Sequence, residues 1–302
     1  MNSKDNFDKQ LDKLYNTVIY APEKDVEKII CKQLDKCGIM YRIFSRSKEK
    51  KSVKEKIEKK RTIYLNNGKK MQDLVGIRIV LYFKDDIDIC IDILKQLFDV
   101  DNYEYDKPNA ETFKPQRINY VFKMPESVMK LPNDISEGCL IDNTFEVQIR
   151  TIFSEGWHEV EHDIRYKYRD EWNAVPDLSR ELNGILAVLE ICDYNIISIC
   201  EQLAYKKYKE KKWDSMIRNK FRLRFTHQPL DRNLFQILSD NANLAKELFR
   251  FNRVKLIKFL AENSMPINCN NVVYIINEMQ LHNEAICRLT PSIITEKCRR
   301  LK

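Results

Sequence analysis

Between Thr144 and Asp170 the chain changes its hydrophobic period, and that change limits the folds open to it. From Phe145 to Arg150 the pattern alternates, with Phe145, Val147 and Ile149 on one side and Glu146, Gln148 and Arg150 on the other. A period of two is that of a half-buried strand. It sets a carboxylate, an amide and a guanidinium about 7 Å apart along one face. Beyond it the spacing turns helical: Phe153, Trp157, Val160, Ile164 and Tyr168 form an apolar stripe. Beside that stripe runs a polar one of His158, His162, Arg165 and Arg169. Thr151 or Ser154 is placed to cap the start of this helix. A polar strand face followed directly by such a helix predicts a chain of mixed α and β structure with a cleft for an anionic ligand.

One short motif in this stretch points elsewhere. His158-Glu159-Val160-Glu161-His162 fits H-E-x-x-H, in which two imidazoles share a helical face and the glutamate activates a zinc-bound water. No G-x-x-H follows to supply a third ligand of the metzincin kind, only glutamates such as Glu171 and Glu181. A charged helix meets so short a pattern by chance, so zinc proteolysis stands only as a rival reading.

Composition narrows the classes further. Six glycines in 302 residues argue against glycine-rich phosphate loops and for a largely helical chain. Nine cysteines without a C-x-x-C pair fit reduced thiols in a cytoplasm. No apolar run stands out as a membrane span, and the charged start MNSKDNFDKQLDKLY has no signal-peptide core, so a cytoplasmic protein without a membrane partner is expected. The net charge of +7 is concentrated in two clusters, Arg46 to Arg61 and Lys206 to Arg224. Such clusters suit phosphate-bearing partners, or are solvated helix faces.

Along the chain, apolar spacing predicts two helices between residues 5 and 38, separated at Pro22 and ended by Gly38, then a short strand from Met40 to Phe44. A basic run leads into a helix expected to open at Ser52. Ile77 to Phe83 is nearly continuous in apolar residues, as a strand buried on both faces would be. Asp73 stands just before it, costly to bury unless a metal or cation meets it. An amphipathic helix from Asp85 to Phe98 follows, then strands near Ile118–Met124 and Leu140–Arg150. A long helix runs from Leu178 to about Lys212, and helical segments broken near Pro229, Pro266 and Pro291 complete the chain. Residues Val254 to Asn263 are similar to the second helix of an ankyrin-type repeat, without a convincing second copy. The division expected is residues 1–212 and a helical region 213–302 of unassigned role.

Taken together, Glu146-x-Gln148-x-Arg150-Thr151, Trp157, Glu161-His162 and Tyr166-Lys167 form a spaced pattern that resembles the synthetase domain of RelA/SpoT-type alarmone synthetases. Arg46, Lys48, Ser52, Lys54 and Lys56 match that family's R-x-K-x-x-x-S-x-K-x-K, and Asp73, Gly76 and Arg78 its D-x-x-G-x-R. The resemblance implies an α+β, nucleotidyltransferase-like mixed sheet flanked by helices, here followed by an all-α C-terminal region. It implies transfer of the β,γ-pyrophosphate of ATP to a nucleotide 3′-hydroxyl, without hydrolysis of the product. On that basis Asp73 and Glu146 are expected to hold Mg²⁺ and to be catalytic, Glu146 also as base. Arg46, Lys48, Ser52, Lys54, Lys56 and Arg78 are expected to bind ATP, the two arginines stacking on adenine. Gln116, Tyr120, Gln148, Arg150, His162, Arg165, Tyr166 and Lys167 are expected to line the acceptor side.

Two departures concern the acceptor. Where the family has Gly-Tyr-x-Ser-x-His, this chain reads Pro115-Gln116-Arg117-Ile118-Asn119-Tyr120, so an amide replaces the ring that stacks on guanine, unless Tyr120 moves into its place. Arg165 replaces the usual asparagine and is expected to put a cation near the acceptor. GTP or GDP, another nucleotide, or a tRNA 3′-end as in toxin-type members are therefore the expected acceptors. A catalytically dead nucleotide-binding module is the remaining rival, and a homo-oligomer is compatible with the sequence.

Overall fold

Val75–Leu81 (β2), buried along most of its length, lies between Tyr41–Ser47 (β1) and Thr144–Thr151 (β5) at one side of a five-stranded sheet. The computed structural model describes residues 9, 11, 12, 15, 22–66, 70–107, 113, 116–129 and 140–299. Among these the strand order is β1-β2-β5-β4-β3, with Val100–Tyr105 as β3 and Ile118–Lys123 as β4. Only the β2–β5 pair is parallel; the other three pairs are antiparallel. This is the expected mixed sheet flanked by helices, with a helical C-terminal region after it.

The chain divides into two compact units, residues 1–32 with 41–190, and residues 33–40 with 191–302. In the first, the pleat sends Ile77, Ile79, Phe145, Val147, Ile149, Ile118, Tyr120 and Phe122 to one face of the sheet. All are nearly inaccessible to solvent. Phe98, at the end of helix Ile87–Leu97 (α3), packs its ring against Phe122 and Phe145 at 5.9 and 5.0 Å and closes an aromatic core behind the sheet. Helix Pro22–Cys37 (α1) lies on the same side, its Glu23 and Glu27 accepting hydrogen bonds from Ser47 and Ser45 of β1. The opposite face carries Arg46, Phe44, Gly76, Arg78, Glu146, Gln148 and Arg150.

Several boundaries differ from expectation for identifiable reasons. Helix Lys50–Asn66 (α2) opens two residues before Ser52, and the N-terminal helix expected before Pro22 lies mostly outside the described residues. Edge strand β3 was not expected: all six of its residues are exposed, so no buried alternation marks it. Helix Ile152–Glu161 (α4) gives way at His162–Tyr166 to a wider π turn, and the predicted apolar stripe does not continue into the core. Trp157 is buried, but Val160, Ile164 and Tyr168 are exposed. A short helix Arg169–Asn173 (α5) leads to Pro176–Lys209 (α6), whose first residue is a proline that needs no partner for a missing N–H. By length and composition alone α6 is apolar enough to cross a membrane, which corrects the expectation that no segment is.

The second unit is helical throughout among its described residues, with Trp213–Phe221 (α7), Arg232–Asp240 (α8), Ala242–Arg250 (α9), Arg253–Glu262 (α10), Cys269–Ile276 (α11), Glu284–Leu289 (α12) and Ser292–Arg299 (α13). Asp231, Asn241, Asn252, Asn268 and Asn283 each cap a helix by accepting backbone N–H bonds. Gly38, at φ +68°, packs its backbone against Leu223 and Ile267 and accepts a hydrogen bond from Arg224 at 2.8 Å.

Candidate active site

The polar face of the sheet encloses a cavity of about 440 Å³ lined by Phe44, Arg46, Lys48, Asp73, Gly76, Arg78, Glu146 and Gln148, with Glu155 and Glu159 of α4 on its far side. Strand pairing assembles it. Gly76 is opposite both Arg46 on β1 and Glu146 on β5, and Arg78 is opposite Phe44 and Gln148. A side chain at Gly76 would meet nothing nearer than Arg46 at 4.0 Å, so the glycine keeps the floor of the cavity open.

At one end sits a carboxylate pair. The backbone N–H of Lys48 donates to Leu74 at 2.9 Å, which draws the end of β1 onto the residue beside Asp73. One oxygen of Asp73, Oδ2, accepts from Lys48 at 2.9 Å and also from Lys56 of α2. The other, Oδ1, is buried without any partner. Burial alone would raise the Asp73 pKa, but the hydrogen bonds and charges of Lys56 and Lys48 hold it below its usual value. Glu146 moves the other way: burial first, then the nearby charge of Asp73, raises it, with only a 3.3 Å bond from Gln148 and the two lysines opposing. Two facing carboxylates, one with an orphaned buried oxygen, fit a hard divalent cation held by oxygen ligands.

At the other end are two arginines neutralised by α4. Glu155 joins them, accepting from Arg78 at 2.7 Å and from Arg150 at 2.8 Å. Glu159 accepts from Arg78 as well. Burial would lower the Arg78 pKa, but Glu155 and Glu159 raise it overall, whereas burial keeps that of Arg150 lowered. Glu155 is aimed by a capping box at the start of α4, in which Thr151 and Ser154 bond each other's backbone N–H at 3.1 and 3.0 Å. His158 is packed against Trp157, with ring centroids 5.5 Å apart. Burial, then the charges of Arg150 and Arg78, push its pKa down to about 4, so it is neutral. Glu155, Glu159 and Phe44 were not singled out for this cleft by sequence spacing, and His158, first in the expected polar stripe, is not among the residues that line it.

The remaining expected residues separate. Ser52 is exposed in the first turn of α2, and Lys54 is partly buried there. Gln116 lies before β4, its amide 3.5 Å from Glu190 of α6. Tyr120 is a correction: the register pairs it with Val147, on the core face, where its ring stacks on Tyr103 and Phe122 at 5.3 and 5.9 Å. It is 3% exposed and cannot fill the place left by the missing ring. Arg165 is a second correction. Its guanidinium bonds Ser179 and Asn183 of α6 and Glu161, and lies over Trp157, so it is committed to packing and presents no cation to the cavity. His162 stacks on Tyr166 at 5.5 Å and contacts Asp163, which also binds Lys167; all four are exposed beyond α4 and are not among the residues that line the cavity. Among the described residues no three His, Cys, Asp or Glu side chains gather as a metal cluster, so His158 and His162 have no third ligand for zinc.

The polar face of a mixed α+β sheet thus presents Asp73, Glu146, Lys48, Arg46 and Arg78 to one cleft. Residues 45–171 match the family described as "Region found in RelA / SpoT proteins". Two curated relatives from Bacillus subtilis (strain 168) align with the chain. GTP pyrophosphokinase YwaC is 28% identical over 134 residues, 44% of this chain and 60% of the relative. GTP pyrophosphokinase YjbM is 30% identical over 132 residues, 42% of this chain and 56% of the relative. The chain thus spans less than two thirds of either relative's length. The crystal structure of small alarmone synthetase 1 from the same organism is similar at a TM-score of 0.44 and 23% identity, covering 64% of this chain and 92% of that one.

Proposed function

We propose that this protein is an ATP:nucleotide 3′-pyrophosphotransferase whose acceptor is a guanine nucleotide. The observation that carries the reading is the carboxylate pair: Asp73, with a buried unpartnered oxygen, beside a Glu146 whose pKa is raised, beneath Lys48 and Lys56. Asp73 and Glu146 would hold Mg²⁺, which when bound neutralises charge on the donor's β- and γ-phosphates. Lys48 and Lys56 then turn from Asp73 to the phosphate oxygens, and Arg46 and Arg78 hold the base. Glu146 takes the proton from the attacking 3′-hydroxyl, whose oxygen bonds to the β-phosphorus as the bridge to the α-phosphate breaks and AMP leaves. Gln148 and Arg150, on the same strand face, would meet the acceptor. A cytoplasmic location fits this chemistry.

Acceptor choice is the finer part of the proposal. The tRNA reading rests on the missing ring at Gln116, on Arg165 and on the second basic cluster; a guanine nucleotide is favoured because Arg165 is committed to packing and four residues of that cluster are ion-paired. Lys207 and Lys212 pair with Glu210, and Lys220 and Arg222 with Glu201. The test is transfer from labelled ATP to GDP, GTP, ATP or tRNA at matched concentrations. Transfer to GDP or GTP is expected; transfer to tRNA alone would replace the acceptor, and no transfer to any would remove the activity. Asp73→Asn and Glu146→Gln should each lose transfer by several orders of magnitude while remaining folded, as loss of a charge that stabilises the transition state requires. A folded Glu146→Gln with near-normal rates would exclude Glu146 as the base.

A further inference from the structure

Among the described residues Phe44 is the one aromatic ring on the lining of the cavity, and nothing in the reaction above uses it. It is 54% exposed. Its neighbours on that face of the sheet are Arg42 and Arg46 along β1 and Arg78 directly across on β2, with Glu146, Gln148 and Arg150 beyond. A ring left in water among charged groups contributes little to folding, and a planar apolar ligand would cover it.

We propose that Phe44 is a base-stacking residue for the donor nucleotide, forming with Arg46 and Arg78 the seat for its purine ring; this rests on the pyrophosphotransferase reading above. Arg78 supports it independently of Phe44. Its Nη1 donates to both Glu155 and Glu159, so the guanidinium is held in place before any ligand arrives, and a planar guanidinium so held can stack on a base. Such a group suits a π-system better than a phosphate. The phosphate-binding end lies elsewhere, where Lys48 and Lys56 converge on Asp73. Four residues of extended strand separate Phe44 from Lys48, about 13 Å, leaving room for a ribose and phosphates between the two ends.

The experiment places a reporter at the ring. In Phe44→Trp, fluorescence is read as a difference from the parent protein, which has Trp157, Trp172 and Trp213. Quenching is expected with ATP and, at higher concentration, with adenosine, but not with inorganic triphosphate. In the transfer assay, Phe44→Ala should raise KM for ATP on the order of tenfold, and Phe44→Tyr should restore it, as stacking of a base on an aromatic predicts. Quenching by inorganic triphosphate alone, quenching by GTP but not ATP, or an unaltered KM in Phe44→Ala would overturn the assignment. Transfer by the parent protein without base-dependent quenching removes Phe44 and leaves the enzyme reading intact. Loss of both transfer and ATP binding in the parent removes the enzyme reading itself.

Discussion

Glu146 on β5 and His158 on α4 have oppositely shifted pKa values, and each has its own pH signature. Burial and Asp73 raise the Glu146 pKa in the folded protein, so the metal-free protein loses stability as pH rises through that raised value. Glu146→Gln should therefore melt at a higher temperature than the parent at neutral pH without divalent cation, while losing transfer. The same proton competes with the cation, so Mg²⁺ affinity measured by calorimetry should climb with pH and then level off, a dependence absent from Glu146→Gln. His158 behaves inversely. Its folded pKa of about 4 lies below the usual 6.5, so its contribution is complete above 6.5 and is lost as pH falls toward 4. The loss is at most ~3 kcal/mol. Denaturant melts of His158→Gln should show a flatter acid limb across that window; an unaltered limb would mean that His158 is not held neutral by burial. Asp73 and Glu146 were legible as partners through the family resemblance, since each stands in a motif that the resemblance rests on. The depressed pKa of His158 was not legible, because it comes first from burial and then from Arg150 and Arg78, which only the fold brings beside it.

At the scale of elements, the capping box of α4 joins stability to the site. Thr151→Ala removes one side of it and should cost ~1 kcal/mol. Glu155 lies in the turn that the cap fixes, so the same change should loosen Arg78 and Arg150 and raise KM for ATP, with Thr151→Ser restoring both readings. A stability loss without any change in KM would show that α4 holds Glu155 without its cap. The period change at this boundary was plain in the sequence, since β5 keeps the predicted alternation and α4 opens directly after it, though the apolar stripe fails beyond Trp157. What escaped was geometry between elements. Whether Tyr120 faces cleft or core depends on the register of β4 against β5, which no local pattern reports. Whether Arg165 meets a ligand depends on α6, which brings Ser179 and Asn183 to it. Phe44 was read only as part of a weak alternation, because an exposed ring carries no signal until its neighbours are known.

Over the whole molecule the division into units does not follow chain order, since residues 33–40 belong with 191–302. Gly38 marks the junction chemically: its left-handed φ of +68° disfavours any side chain, and a Cβ would approach Ile267 to 2.5 Å. Gly38→Ala should therefore destabilise the helical unit by ~1–2 kcal/mol, most of it from the backbone. A thermal melt that does not shift would show that the turn relaxes. The same arrangement has a consequence for the order of synthesis. Cys37 and Ile39 are fully buried in the finished protein, yet Leu223 and Ile267, which pack on the glycine between them, are made some two hundred residues later. At ~5–20 residues per second the ribosome takes on the order of ten seconds or more to supply them. Throughout that interval Gly38 and its neighbours, immediately ahead of β1, lack the contacts that Leu223 and Ile267 later supply.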